Sequence, residues 1–412
     1  MIQNRMIPEV LAPAGDMECL KAALMFGADA VYLAKKTFGM RAAPQNFSQD
    51  DLVEACRLAH SIGKKIYLTC NTLPHNRELD ALKTFAQEAE SAGVDAFIVS
   101  DIGVMSMLKE YAPNTEIHIS TQAGIVNYAS AREFYKMGAS RVVLARELTL
   151  KEIRTIRDNT PPELEIEAFV HGAMCVSFSG RCLLSQYLTG RDANRGECAQ
   201  PCRWSYALME QSREGTYFPI SEQDGGTYIL NAKDLNMIEH LYLLADAGIS
   251  SFKIEGRAKS SYYVSVVTNA YRAAVDHLRD HPDKALPKWI VDETDKVSHR
   301  EYCTGFFFGE TSVMQNLNDG GYVRNYDVAA IVESCADGYL NVHQRNRFFA
   351  GDTLEVLQPG IQPRKIVADE IINQSGELVD AANKAAENYK IKCDLDLPQG
   401  TILRIKNQKN GG

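Results

Sequence analysis

Cys175, Cys182, Cys198 and Cys202 fall within 28 residues, spaced C-x6-C-x15-C-x3-C, while the other six cysteines are scattered along the 412-residue chain. Thiolates are soft ligands and good nucleophiles, so four together point to metal or redox chemistry. Three readings stay open on spacing alone. The first is structural thiols gathered by chance. The second is zinc, which needs four tetrahedral thiolates and usually takes them from close C-x2-C pairs; spacings of six and three depart from that. The third is an iron–sulfur cluster, which also takes four cysteines and tolerates wider spacing. A cysteine protease would need one activated thiol with a histidine partner. His171 lies near Cys175 in sequence, but four clustered thiols make poor sense as one nucleophile. Neither G-x-S-x-G nor H-E-x-x-H occurs.

Further chemistry belongs to polar residues that end apolar runs. Asn71, Gln122, Arg146, Glu147, His171, Lys233, Asp234, Glu255 and Arg257 are candidates for substrate contacts, and each is equally a candidate salt bridge or helix cap. His171, beside the cysteine stretch, is a candidate acid/base or a structural histidine. Glu255 and Arg257 close the run FKIEGR, and arginine forks suit a dicarboxylate. The cysteine stretch also carries Arg181, Arg191, Arg195 and Arg203, with Trp204 adjacent. Arginine beside an aromatic suits an RNA-facing surface; solvated loop charge is the plain alternative. Arg345, Arg347 and Phe348 repeat the combination in QRNRFF.

These groups need elements to place them. Short apolar runs alternate with amphipathic stretches of helical length. Nine runs read as strands: EVLAP (from Glu9), AVYLA (from Ala30), KIYLTC, AFIVS, EIHIS, RVVLA, EIEAFV, TYILN and SFKIE. Ser48 is an N-cap signal for the helix that follows it. The phrases FGADAVYL, AGVDAFIV, MGASRVVL and AGISSFKI each set a glycine C-cap before the next buried strand. The pattern predicts a closed (β/α)8 barrel of the TIM type. Nine runs are one too many, so EVLAP or TYILN is expected to be a cap or side hairpin.

Residues 1–282 are thus assigned to the barrel, with a Cys-containing insertion at 172–227 on its active-site face. Residues 283–322 connect to 323–408, whose short alternating strands predict a small antiparallel β-barrel, a plausible RNA-binding appendage. Cys56 and Cys70 sit in apolar patterns and are expected to be buried.

Bulk properties narrow the classes. At 45% hydrophobic and 24% charged, the composition is that of a soluble globular protein, and no apolar run is long enough for a membrane span. No basic start followed by an apolar stretch marks a signal peptide, so a cytoplasmic location is expected. A net charge of −9 excludes a protein that coats nucleic acid non-specifically but leaves room for a local basic cleft.

The stretch Glu167-x-Phe169-x2-Gly172-Ala173-Met174-Cys175-x4-Gly180-x-Cys182-x-Leu184-Ser185 resembles the full signature of the collagenase-like peptidase family U32. LAPAGD, FKIEGR, TGFFFG and NRFFAGDTLEVLQP resemble the same family, so the likeness spans nearly the whole chain. The family name implies proteolysis. Better-understood members are oxygen-independent hydroxylases that hold a [4Fe-4S] cluster on four cysteines, and this chain looks most like the form that makes 5-hydroxyuridine at the tRNA wobble position with prephenate as hydroxyl donor. The resemblance implies Cys175, Cys182, Cys198 and Cys202 as cluster ligands, tRNA and prephenate as partners, and room for a homologous second subunit. The alternatives are a collagenase-like peptidase and a zinc-stabilised RNA-binding protein without catalysis.

Overall fold

The computed structural model of the protein describes residues 7–39, 45–175, 177–178, 182–193, 197–204, 208–209, 217–218, 232–309 and 322–407. The chain divides into two compact units, one of residues up to 286 together with 300–322, the other of 287–299 together with 323 onward.

The first unit is a closed barrel. Strands β1 (Glu9–Pro13), β2 (Ala30–Leu33), β3 (Lys65–Cys70), β4 (Ala96–Val99), β5 (Glu116–Ile119), β6 (Arg141–Val143) and β7 (Glu165–Ala173) pair in order, all parallel. After β8 (Asp234–Asn236), strand β9 (Ser251–Ile254) pairs in parallel with both β7 and β1 and closes the ring. EVLAP is therefore a full barrel strand, not a cap, because β9 needs β1 as its second neighbour. TYILN lies outside the described residues. β8 is not a ring member: it runs antiparallel to the end of β7 and parallel to β10 (Tyr302–Cys303).

Helices α1 (Met17–Met25), α2 (Gln49–Ser61), α3 (Leu82–Ala92), α4 (Ile102–Tyr111), α5 (Tyr128–Lys136) and α6 (Leu150–Asp158) fill the connections up to β7. Local chemistry sets their ends. Ser48 and Asp51 form a reciprocal capping box on α2, and Asp16 of LAPAGD accepts from the Cys19 amide to start α1. Gly93 ends α3 at φ +88°, where a side chain would be strained. Cys56 and Cys70 are buried.

Later helices are α7 (Leu184–Thr189), α8 (Leu241–Asp246), α9 (Ser261–Asp280) and α10 (Lys288–Glu293). Among the described residues, no helix is long and apolar enough to cross a membrane.

The second unit is an antiparallel sheet of eight strands around one core, the architecture its alternating runs predict. The strands are β11 (Tyr326–Ala336), β12 (Tyr339–Gln344), β13 (Thr353–Leu357), β14 (Arg364–Val367), β15 (Ile371–Ile372), β16 (Leu378–Val379), β17 (Asn388–Lys392) and β18 (Ile402–Lys406), in the order β14-β13-β18-β11-β12-β17-β15-β16. Val332, Leu340, Val342, Leu354, Val356, Ile391 and Leu403 point into the core. A buried ion group joins α10 to this sheet. Arg404 grips Glu293 through two bonds of 2.6 and 2.9 Å and reaches Glu355 at 2.7 Å, and Lys296 bridges the same two carboxylates.

Candidate active site at the carboxyl end of the barrel

Barrel interiors are usually filled by branched aliphatic side chains. Here charge fills part of the interior. Arg141 of β6 lies 2.7 Å from Glu9 and 3.0 Å from Glu167, and Lys253 of β9 lies 2.7 Å from the other Glu167 oxygen. Tyr67 and Ser251 donate to the Glu9 carboxylate. The rings of His118 and Tyr67 pack in a T shape with centres 4.7 Å apart, and the Lys253 ammonium stands 4.5 Å from the Tyr32 ring centre. Burial alone would raise the Glu167 carboxyl; the charges of Lys253 and Arg141 overcome it and hold the pKa down to about 2. The network rests on alternate strand positions: Glu165, Glu167 and Phe169 on β7, and Ser251 and Lys253 on β9. Polar residues at every second place in otherwise apolar runs were the signal for it in the sequence.

Phe169 roofs this layer. The Arg146 guanidinium lies 3.8 Å from the centre of its ring, donates to the Ala173 carbonyl at 2.7 Å, and pairs with Glu255 at 2.9 Å. Arg146 thus ties the end of β6 to the ends of β7 and β9. Glu147 follows it, half-buried. Arg257 is buried, with a guanidinium nitrogen 3.5 Å from the Thr69 hydroxyl. Asn71 donates to Ser120 at 3.4 Å, and the Ser120 hydroxyl accepts from the Gln122 amide at 3.3 Å. These residues end strands β3, β5, β6 and β9 or begin the turns after them, so the barrel gathers them at its carboxyl end.

His171 is placed differently. It is buried in β7, its Nδ1 is 3.3 Å from the Tyr271 hydroxyl, and the rings of Tyr263, Tyr271 and Tyr302 surround it at 5.3 to 6.1 Å. Lys233 pairs with Glu301 at 2.6 Å, and Asp234 accepts from the Arg300 amide at 3.1 Å, so both brace β8 against the segment entering β10.

The thiols follow β7. Cys175 is exposed two residues past the strand, Cys182 precedes α7, and Cys202 sits in a short 3-10 turn, Pro201–Arg203. None forms a disulfide. The Gln200 amide donates to Cys198 Sγ at 3.4 Å, the kind of bond that stabilises thiolate charge around a metal. Four thiols in one segment, none in a disulfide, fit an iron–sulfur or zinc donor set by their chemistry. Among the described residues, no three His, Cys, Asp or Glu side chains stand close enough together to hold a metal ion.

Arg181 and Arg195 lie outside the described residues, as does the side chain of Arg203. Arg191 is exposed, Trp204 is 43% exposed, and Tyr187 on α7 is 81% exposed. In the second unit, Arg345 and Arg347 are exposed but Phe348 is buried, because strand alternation turns it into the core. The aromatic partner at the surface is Phe349, whose ring centre is 5.1 Å from the Arg347 guanidinium.

Residues 15–316 match the model of "Peptidase family U32", and 324–404 match the "Peptidase family U32 C-terminal domain". The chain belongs to peptidase family U32. It is similar to the "tRNA hydroxylation protein P1" of Bacillus subtilis (strain 168), 35% identical over 96% of this chain and 94% of that protein. It is also similar to the "tRNA hydroxylation protein P" of Escherichia coli (strain K12), 35% identical over 97% of each chain. A "Collagenase" of Porphyromonas gingivalis (strain ATCC BAA-308 / W83) is 36% identical over 73% of this chain and 74% of its own.

The structure assigns physical work to the U32 signature residues. Glu167 and Phe169 belong to the barrel interior, and Gly172 sits where β7 and β9 nearly touch. A Cβ on Gly172 would lie 2.5 Å from the Glu255 carbonyl oxygen, and its φ is +106°. Gly172→Ala is expected to cost about 2 kcal/mol or more, from backbone strain and the clash together, and to disturb the Arg146–Glu255 pair. Thermal unfolding checks it; an unchanged Tm would mean the two strands separate freely there.

Proposed function

We propose that the protein hydroxylates RNA: it converts the wobble uridine of tRNA to 5-hydroxyuridine without molecular oxygen, with prephenate as hydroxyl donor and a [4Fe-4S] cluster on Cys175, Cys182, Cys198 and Cys202. The observation that carries this reading is the likeness to tRNA hydroxylation proteins along essentially the whole of both chains, C-terminal unit included. The four thiols that follow β7, none of them in a disulfide, support it.

A bound cluster would supply one-electron redox chemistry or Lewis acidity at the barrel mouth. The chain's own residues supply the rest. Arg146 and Arg257 place guanidinium groups where a dicarboxylate can be held by charge and paired hydrogen bonds. Arg146, fixed by Glu255 and by the Ala173 carbonyl, has little freedom to move and so presents a set geometry. Tyr187, Trp204 and Arg191 offer exposed stacking and phosphate-binding groups beside the thiols, suited to an unpaired base and its backbone. His171, enclosed by three tyrosines, serves the packing of β7 against α9, whereas a cysteine protease needs its histidine free to activate the thiol.

The test is iron, acid-labile sulfide and a visible spectrum on protein purified without oxygen, followed by nucleoside analysis of tRNA from a deletion strain complemented with wild type or with Cys175→Ala/Cys182→Ala. The expected result is about four irons per chain with broad absorbance near ~400 nm, lost in the variant together with 5-hydroxyuridine. Colourless protein with bound zinc would favour an RNA-binding protein without catalysis. Gelatin cleavage that persists without iron would favour the peptidase.

A further inference from the structure

Ser185 ends the U32 signature, three residues after Cys182. It is fully buried although it lies in a six-residue helix whose neighbours Tyr187 and Leu188 are exposed. Its hydroxyl accepts from the Ala199 amide at 3.0 Å. Ala199 is the residue after Cys198. The next amide, that of Gln200, donates to Cys198 Sγ, and Gln200 adopts the left-handed φ of +57° that turns the chain into Pro201 and Cys202. Helix α7 packs on that turn. Thr189 braces the helix from below: its hydroxyl donates to the Ser185 carbonyl at 2.7 Å and accepts from the Arg191 amide at 3.3 Å.

One hydrogen bond therefore joins the helix that follows Cys182 to the residue that follows Cys198. We propose that Ser185 is a positioning residue: its bond to the Ala199 amide holds the Cys198–Cys202 loop against the Cys182 end of α7, so that a cluster binding these thiols would meet segments already kept in one register. The Ser185 side chain is fully buried and a buried hydroxyl is costly to leave unpaired, so the loop has a reason to keep this register rather than another. The inference rests on the proposed cluster for its purpose but not for its geometry.

The test compares wild type with Ser185→Ala, Ala199→Pro and the double variant in the full chain. Ser185→Ala removes the acceptor; Ala199→Pro removes the donor. Three readouts are taken: iron retained under chelator challenge, the cluster's midpoint potential, and the rate at which mild thiol oxidation of iron-free protein links Cys182 to Cys198, read by peptide mapping. The expected result is roughly three- to tenfold faster iron loss and slower Cys182–Cys198 linkage in each single variant, the size of one lost hydrogen bond. The double variant should be no worse than the worse single, since both act on one bond. A lower Tm with unchanged iron retention, potential and linkage would overturn the proposal and leave Ser185 a packing residue. Wild-type protein without iron, but with Ser185-dependent linkage, would sink the hydroxylase reading and leave the positioning role standing.

Discussion

Glu167→Ala lowers the stability of the protein by about 3–5 kcal/mol at neutral pH, the usual cost of removing one partner of a buried ion pair. Glu167 is fully buried and is the carboxylate that meets the Lys253 ammonium inside the barrel. Arg141 keeps Glu9 and Glu165 after the change, whereas Lys253 is left as a charge beside two aromatic rings. Lys253→Met in the Glu167→Ala background should recover part of the loss, because a pair replaced by apolar groups leaves no stranded charge.

The same carboxyl predicts a pH dependence. Its folded pKa is about 2 against an ordinary value of 4.5. A depressed pKa means the folded state holds the proton less tightly than the unfolded chain. The resulting stability, about 3 kcal/mol, is therefore fully present above pH 4.5 and is lost as the pH falls toward 2. Urea denaturation of wild type and Glu167→Gln, followed from pH 7 downward, should show the wild-type advantage narrowing below about pH 4.5. A constant difference across that window would mean that Lys253 and Arg141 do not hold this carboxyl ionised.

Arg404→Ala is the second large effect, again about 3–5 kcal/mol, and it falls on the second unit. Arg404 and Glu293 are both fully buried, and the guanidinium engages both Glu293 oxygens as a fork. Without it, Glu293 and Glu355 must share Lys296 alone. Arg404→Lys keeps the charge but not the planar fork, so it should recover only part of the loss. Unfolding of the full chain measures the cost, and amide exchange across 287–299 shows whether the docking of α10 carries it. Equal protection of that segment in wild type and Arg404→Ala would refute this account.

Much of the first unit was legible because its rules are local. KIYLTC and AFIVS are short apolar runs; Ser48 and Gly93 are caps whose chemistry acts within three or four residues. A run's length and flanks say strand, but not how many neighbours it has. EVLAP looked expendable on a count of nine for that reason, and only its pairing with both β2 and β9 makes it the strand that closes the ring. Likewise FF in QRNRFF offers two phenylalanines, and register alone decides that Phe348 faces the core and Phe349 the solvent.

The candidate site divides in the same way. Asn71, Gln122, Arg146, Glu255 and Arg257 could be named from their places at strand ends, since a parallel barrel brings every strand's carboxyl end to one face. Their partners could not. Arg146 meets Glu255 across 109 residues, and His171 meets Tyr271 across 100; nothing in either local stretch encodes the match.

By itself the sequence determined the strand–helix alternation, the four thiols and their spacing, the caps that start and stop the helices, and membership of a family through residues at fixed offsets. The tertiary structure alone decided that Glu167, Arg141 and Lys253 neutralise one another inside the barrel, that His171 lies among tyrosines, and that Ser185 reaches Ala199. The reason is physical. Propensity, capping and alternation are energies of neighbouring residues, while buried charge and buried hydrogen bonds are satisfied by whichever group closure of the chain brings within about 3 Å.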